Sequence, residues 1–213
     1  MEVEIPVEHV TLKGDLIIPP GAAALVIFAH GSGSSMLSSR NRMVAEKLQQ
    51  EGFGTLLFDL LTTREDMDRT NRFDINLITE RLVEVTKWAK EKSTRHLQLG
   101  YFGASTGAAA ALMAAAKLKE DIKAVVSRGG RPDLAGPALP HVEAPTLLIV
   151  GGLDDVVIDL NEQAFSVMEN EKKMIIIEGA THLFEEPGKL ESVAVMAVQW
   201  FNQHLKGIMV KGQ

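Results

Sequence analysis

From residue 24 onward the chain moves between two hydrophobic rhythms. Short runs that are apolar at nearly every position are separated by longer stretches in which apolar residues recur every three or four positions. The runs include Ala24-Leu25-Val26-Ile27-Phe28-Ala29, Thr55-Leu56-Leu57-Phe58-Asp59-Leu60, Leu97-Gln98-Leu99-Gly100-Tyr101-Phe102 and Ala124-Val125-Val126-Ser127. Two more are Pro145-Thr146-Leu147-Leu148-Ile149-Val150 and Lys173-Met174-Ile175-Ile176-Ile177. A strand covered on both faces keeps no polar side, so the runs at 24–29 and 55–60 read as buried strands and the others as further strands of a mostly parallel sheet. Helical spacing fills the intervals. Residues 39–51 place Met43, Val44 and Leu48 on one face, and Gly52 closes the helix. Residues 75–92, capped by Asp74 or Asn76, align Ile75, Ile78, Leu82, Val85 and Trp88. An alanine-rich helix runs to Leu118, a short one covers 160–168, and the last, 190–205, carries Val193, Ala197, Trp200 and Phe201.

Ahead of this alternation, residues 3–12 read as a strand, Lys13-Gly14-Asp15 as a turn, and Leu16-Ile17-Ile18 as a second strand closed by Pro19-Pro20-Gly21. Residues 62–72 are polar and charged and predict a surface loop, with Arg64 and Arg69 at most on the rim of a site. The whole pattern predicts an α/β fold: a mostly parallel twisted sheet with helices on both faces, right-handed crossovers and an N-terminal antiparallel hairpin. One domain is expected over residues 1–206, followed by a C-terminal tail, 207–213. The short interval between Asp133 and Thr146 leaves no room for a large lid domain.

Composition narrows the function without naming it. Hydrophobic residues make up 46% and charged residues 23% of 213 positions, as in a globular protein with one well-buried core. A net charge of −6 argues against nucleic acid or anionic membrane as a partner. The acidic start Met1-Glu2-Val3-Glu4 and the lack of a long apolar run lead to the expectation of a cytoplasmic protein acting on a small molecule. The absence of cysteine excludes disulfides, thiol catalysis and thiolate metal sites. No spacing of His, Asp and Glu suggests a metal, and no cofactor is expected.

Ligands of such a sheet bind at the carboxyl ends of the strands, so the turns after each strand hold the chemistry. Gly103-Ala104-Ser105-Thr106-Gly107 joins a strand directly to a helix, the context a nucleophile elbow requires. Asp154 follows a later strand and His182 the last one, which is the chain order of hydrolases with an elbow serine. A serine hydroxyl needs a base to take its proton, and that base needs a carboxylate to hold its tautomer. Ser105, His182 and Asp154 are therefore the candidate triad, with Asp155 an open substitute for Asp154. Of the six histidines, His30 and His182 directly follow strands at this edge; His9, His96, His141 and His204 read as surface or strand-end residues. His30 reads as a packing and hydrogen-bonding residue. The Thr106 N–H, next to the nucleophile, and the Ser32 N–H, with Gly33 as the next choice, are the candidate oxyanion donors. Arg128 or Arg131 could clamp a substrate carboxylate or phosphate; the alternative is a structural ion pair with Asp133 or Glu143.

These motifs resemble the α/β-hydrolase superfamily and, within it, small dienelactone-hydrolase-like enzymes. The resemblance rests on His30-Gly31-Ser32-Gly33-Ser34-Ser35, Gly103-Ala104-Ser105-Thr106-Gly107, Ser127-Arg128-Gly129-Gly130-Arg131-Pro132-Asp133, Gly151-Gly152-Leu153-Asp154 and Gly179-Ala180-Thr181-His182-Leu183-Phe184, and spans nearly the whole chain. It implies a cofactor-free ester, lactone or thioester hydrolase with Ser105 as nucleophile, His182 as base and Asp154 as acid member. Proteins similar to this one are sometimes joined to phosphoribosyltransferase domains, and no such domain is expected here. Two departures stand out. True dienelactone hydrolases use a cysteine nucleophile. A basic pair is expected after Ser34-Ser35 in relatives, where this chain has Met36 and Leu37, residues that would make the acyl site more apolar. Two other functions compete: a hydrolase fold kept as a binding module, and an acyltransferase or perhydrolase using the same triad.

Overall fold

The computed structural model describes residues 1–91 and 94–205. Its strands are β1 (Glu2–Val7), β2 (Val10–Ile17), β3 (Ala24–Ala29), β4 (Gly54–Phe58), β5 (Gln98–Ala104), β6 (Ile122–Arg128), β7 (Thr146–Gly151) and β8 (Lys172–Ile177). They form one eight-stranded sheet in the order β1-β2-β4-β3-β5-β6-β7-β8. The β1–β2 and β2–β4 pairs are antiparallel and all later pairs are parallel. The helices are α1 (Ser39–Gln50), α2 (Thr63–Asp66), α3 (Ile75–Glu91), α4 (Thr106–Leu118), α5 (Asp155–Val167) and α6 (Lys189–His204).

The continuous apolar runs have the expected physical cause. Every residue of β3, β4 and β7 is buried. Alternate residues of one strand feed two separate cores. Leu25, Ile27 and Ala29 pack with Leu82 and Val85 of α3 and with the alanines of α4. Ala24, Val26 and Phe28 pack with Val44 and Leu48 of α1 and with Val193 and Ala197 of α6. Helices thus cover both faces. Ala108 to Ala111 are fully buried, so α4 lies in the middle of the molecule, where methyl side chains let it sit close to the sheet.

Three local expectations are corrected. The hairpin turn is Glu8-His9, between the paired residues Val7 and Val10, and not Lys13-Gly14-Asp15. Gly14 sits inside β2, where a Cβ would come within 3.2 Å of the Ile5 side chain, the Leu57 carbonyl and Phe58. The glycine there marks a close approach of neighbours rather than a turn. Second, residues 62–72 are not an open loop. Thr62 caps α2: its hydroxyl accepts the Glu65 N–H, and the Glu65 carboxylate accepts the Thr62 N–H. A 3-10 segment, Arg69–Phe73, follows. Third, α5 starts at Asp155, directly after the strand turn, instead of at residue 160. Asp74 is the cap of α3, accepting the Leu77 N–H at 3.0 Å. The proposed end of α3 at Lys92, the last residue of the proposed 1–206 domain, and the proposed tail 207–213 lie outside the described residues.

Candidate active site

The turns at the carboxyl ends of β3, β5, β6, β7 and β8 converge. Ser105 sits between β5 and α4 with φ 50° and ψ −120°. A non-glycine residue in such a conformation costs about 1–3 kcal/mol and persists only where its surroundings over-determine it. Two glycines supply that constraint. A Cβ on Gly103 would lie 2.5 Å from the Ala108 Cα, and one on Gly107 would lie 2.2 Å from the Ala29 carbonyl oxygen. The Ser105 N–H donates to the Arg128 carbonyl at 3.3 Å, and the Ser105 carbonyl accepts from Arg131 and Ala108. The elbow is therefore stitched to the turn after β6. Thr106 opens α4 with no acidic residue in the first turn, so the partial positive charge of the helix end is uncompensated there.

The candidate base and its carboxylate come from the turns after adjacent strands. His182 Nδ1 donates to Asp154 Oδ2 at 2.6 Å. Asp154 occupies the cap position of α5 without capping it, which leaves its carboxylate for the histidine. Asp155 is instead the first helical residue. The two turns are joined by the Leu153 N–H donating to the Ala180 carbonyl, and a Cβ on Gly151 would lie 2.5 Å from that same oxygen. With Nδ1 occupied, Nε2 is the nitrogen left for proton transfer. The imidazole borders the elbow through Gly129, whose Cβ position is 3.6 Å from His182 Cε1 and which follows the Arg128 carbonyl that holds Ser105. Among the described residues the Ser105 hydroxyl has no hydrogen-bond partner. Contacts of this kind commonly close only when substrate is bound.

The turn after β3 lies against α4. Ser32 and Thr106 are brought together, but the Ser32 N–H donates to Thr106 Oγ1 at 2.9 Å. The candidate second oxyanion donor is thus already engaged by the side chain of the first. His30 Nε2 accepts the Leu60 N–H at 3.1 Å, so its proton sits on Nδ1 and is donated to the Gly31 carbonyl. Burial lowers the His30 pKa below the ordinary histidine value and keeps the ring neutral, which suits a structural acceptor.

The outer candidates separate. Arg131 forms a two-pronged pair with Asp133, Nε to Oδ1 at 2.9 Å and Nη2 to Oδ2 at 2.8 Å. Glu143 lies 3.9 Å from Lys119. Arg128 is buried and makes neither pair; its Nη2 donates to Asn41 Oδ1 at 3.3 Å. Met36 is half-buried, with its N–H donated to Asp59 Oδ1 at 2.8 Å, whereas Leu37 is exposed. Arg64 and Arg69 are exposed, and it is Arg72, gripped by Asp66 through Nε and Nη2 at 2.7 Å, that borders the Ser32-Gly33 turn. Asp59, Asp66 and Arg72 border the candidate site, and the sequence pattern does not single them out. The available signal was Thr62-x-x-Glu65, a capping-box spacing that announces folded structure in this segment. Among the described residues no group of three or more His, Cys, Asp or Glu side chains could hold a metal ion. No helix is long and apolar enough to cross a membrane among those residues.

Residues 22–207 match the family model of an alpha/beta hydrolase domain. A crystal structure of a dienelactone hydrolase from Anabaena variabilis superposes with a TM-score of 0.95 at 56% identity, covering 96% of this chain and 97% of that one. Est1E from Butyrivibrio proteoclasticus shares the fold, with a TM-score of 0.78 at 17% identity over 95% of this chain and 99% of that one. Curated relatives from two Mycobacterium tuberculosis strains, provisionally named phosphoribosyl transferases, are 55% identical over 97% of this chain, which spans 47% of their length.

Proposed function

The chain belongs to the α/β-hydrolase family, and from that premise we propose that it is a serine hydrolase cleaving a small carboxylic ester, lactone or thioester through an acyl-enzyme on Ser105. The observation that carries this reading is the 2.6 Å pair of His182 and Asp154 beside a strained serine at a helix N-terminus. Ser105 Oγ attacks the carbonyl carbon while His182 Nε2 takes its proton. Asp154 holds the imidazole in the Nδ1–H tautomer and stabilises the cation that forms. The carbonyl oxygen gains negative charge and is met by the Thr106 N–H and by the Ser32 N–H as it leaves Thr106 Oγ1. The imidazolium returns the proton to the departing alcohol or thiol, and water, activated by the same histidine, releases the acid. The site needs no metal and no cofactor for these steps. A dienelactone hydrolase among the similar structures is in keeping with a compact acyl substrate. The transferase name belongs to proteins about twice as long as this chain.

The test is intact-protein mass after treatment with a fluorophosphonate, with the adduct mapped by peptide. A single adduct on Ser105 of the folded protein, lost in His182→Ala, is expected. Ser105→Ala is expected to lower kcat on any ester turned over by about 10⁴-fold or more. A folded protein that never labels at Ser105 would replace this reading with that of a binding module.

A further inference from the structure

The two edges of the sheet are built differently. β1 carries Pro6 and the exposed Glu2 and Glu4, residues that discourage a further strand. β8 ends in the apolar run Met174-Ile175-Ile176-Ile177 and has no strand beyond it among the described residues. The Thr146 N–H donates to the Glu171 carbonyl, and the Gly152 N–H to the Ile177 carbonyl. With Thr146 in register with Lys172 and Gly151 with Ile177, residues 171, 173, 175 and 177 therefore turn their main-chain groups toward β7. Lys172, Met174 and Ile176 turn theirs outward, and among the described residues those three N–H groups have no hydrogen-bond partner. Nor is the edge covered from above or below. α6 packs on α1, β6 and β7 and leaves a groove of about 340 Å³ along β8, lined by Lys173, Ile175, Met196 and Trp200 among others. On the α5 side Ile176 is 46% exposed. The charge of Lys172, which would otherwise guard the edge, is turned inward: its Nζ donates to the Phe165 and Met168 carbonyls at the end of α5.

An apolar edge with free donors and acceptors is a template for another strand. The charges along β8 say which strand fits. Lys172 and Lys173 stand at its start; Glu178, exposed and in no ion pair among the described residues, stands just past its end. Such a strand is complementary to itself read in the opposite direction. We propose that β8 pairs with β8 of a second copy of this chain, antiparallel about a two-fold axis at Ile175, so that two sheets become one. In this register Met174 of each copy exchanges both main-chain bonds with Ile176 of the other, and Lys172 comes opposite Glu178. The two Ile175 side chains meet on the axis and extend the floor of the groove beside α6. The neighbouring registers, centred on Met174 or on Ile176, lose the match of Lys172 with Glu178. The contact is isologous and closes at two copies. Because the strands of the two copies run in opposite directions, their candidate active sites open at opposite ends of the joined sheet and neither is covered. The proposal does not rest on the hydrolase reading of Ser105.

The experiment is sedimentation velocity on the full chain from about 5 to about 200 μM, a range in which even a weak pair is populated. A concentration-dependent dimer is expected. Met174→Pro removes an outward N–H and no bond to β7, so the chain should stay folded by circular dichroism. Its dimer Kd should rise about tenfold or more, because two hydrogen bonds are lost across the axis. Ile176→Lys puts a charge on an exposed position of the same edge and carries the test if Met174→Pro does not fold. Cross-linking reads the register. The chain has no cysteine, so one introduced thiol can join only its own copy. Ile175→Cys places two thiols on the axis, where opposed Cα atoms about 4.5–5.5 Å apart suit a disulfide, and mild oxidation should give a covalent dimer. Lys173→Cys lies on the same face, but its copy is offset by four residues, about 13 Å, and should not cross-link. A monomer at every concentration overturns the proposal. A dimer of unchanged affinity in folded Met174→Pro and in Ile176→Lys places the contact elsewhere and overturns it as well. Equal cross-linking at positions 173 and 175 overturns the register.

Discussion

The two halves of the candidate site are prepared to different degrees. On the β7–β8 side, Asp154 and His182 are already paired at 2.6 Å, and their turns are tied by the Leu153–Ala180 bond. On the β3–β5 side, the backbone of Ser105 is rigidly held, yet its hydroxyl has no partner among the described residues and the Ser32 N–H is spent on Thr106 Oγ1. On the proposed mechanism the base is oriented before substrate arrives, whereas the proposed oxyanion donors complete their arrangement with it. Donors that need no rearrangement give the larger rate advantage, so on the proposed mechanism this second half is where the free protein would hold catalysis back.

The comparison can be broken first at the prepared half. Asp154→Asn keeps the shape but no longer enforces the Nδ1–H tautomer, and kcat on an activated ester is expected to fall by about 10⁴-fold. A loss below tenfold would mean that the pair is ornamental to the reaction. The rigid backbone of the other half is probed by Gly107→Ala. The added Cβ would lie 2.2 Å from one main-chain oxygen and 2.5 Å from another, so neither side can yield cheaply. A loss of about 3 kcal/mol or more in denaturant unfolding is expected. Unchanged stability would show an elbow looser than its geometry.

Thr106→Val sharpens the contrast. It removes the acceptor of the Ser32 N–H, so stability should drop by about 1 kcal/mol. The freed donor should raise kcat/KM severalfold, since it no longer abandons a partner to reach the oxyanion. A fall in kcat/KM would instead give the hydroxyl a direct place in holding the Ser32 turn. The smallest effect is expected at His30. Its pKa is depressed in the folded protein, so the unfolded chain binds a proton first as pH falls below the ordinary histidine value of about 6.5. Stability contributed by the neutral ring is therefore complete above that value and lost on acidification, by at most about 1.4 kcal/mol per pH unit. His30→Gln should flatten the stability difference between pH 7.5 and 5.5; an unaltered slope would assign it to other groups.

Elements that depend on local pattern were readable from the chain alone. Unbroken apolar runs such as that of β3 mean burial on both faces, whatever the fold around them, and glycines flanking Ser105 at the end of a strand mean a tight elbow. The order Ser105, Asp154, His182 follows from the same logic, because ligand-facing turns come at the ends of parallel strands. What local pattern could not decide was anything that depended on a partner distant in sequence. Gly14 looked like a turn because its neighbours Leu57 and Phe58 are absent from its own stretch of chain. Asp154 and Asp155 were separable only by the direction in which the start of α5 aims them. Arg128, the last residue of β6, and Arg131, just after it, are chemically identical on paper. Tertiary structure gave Arg131 a carboxylate two residues away and left Arg128 buried beside Asn41, since a side chain's charge is written in the sequence but its solvation and its counter-ion are set by what folds around it.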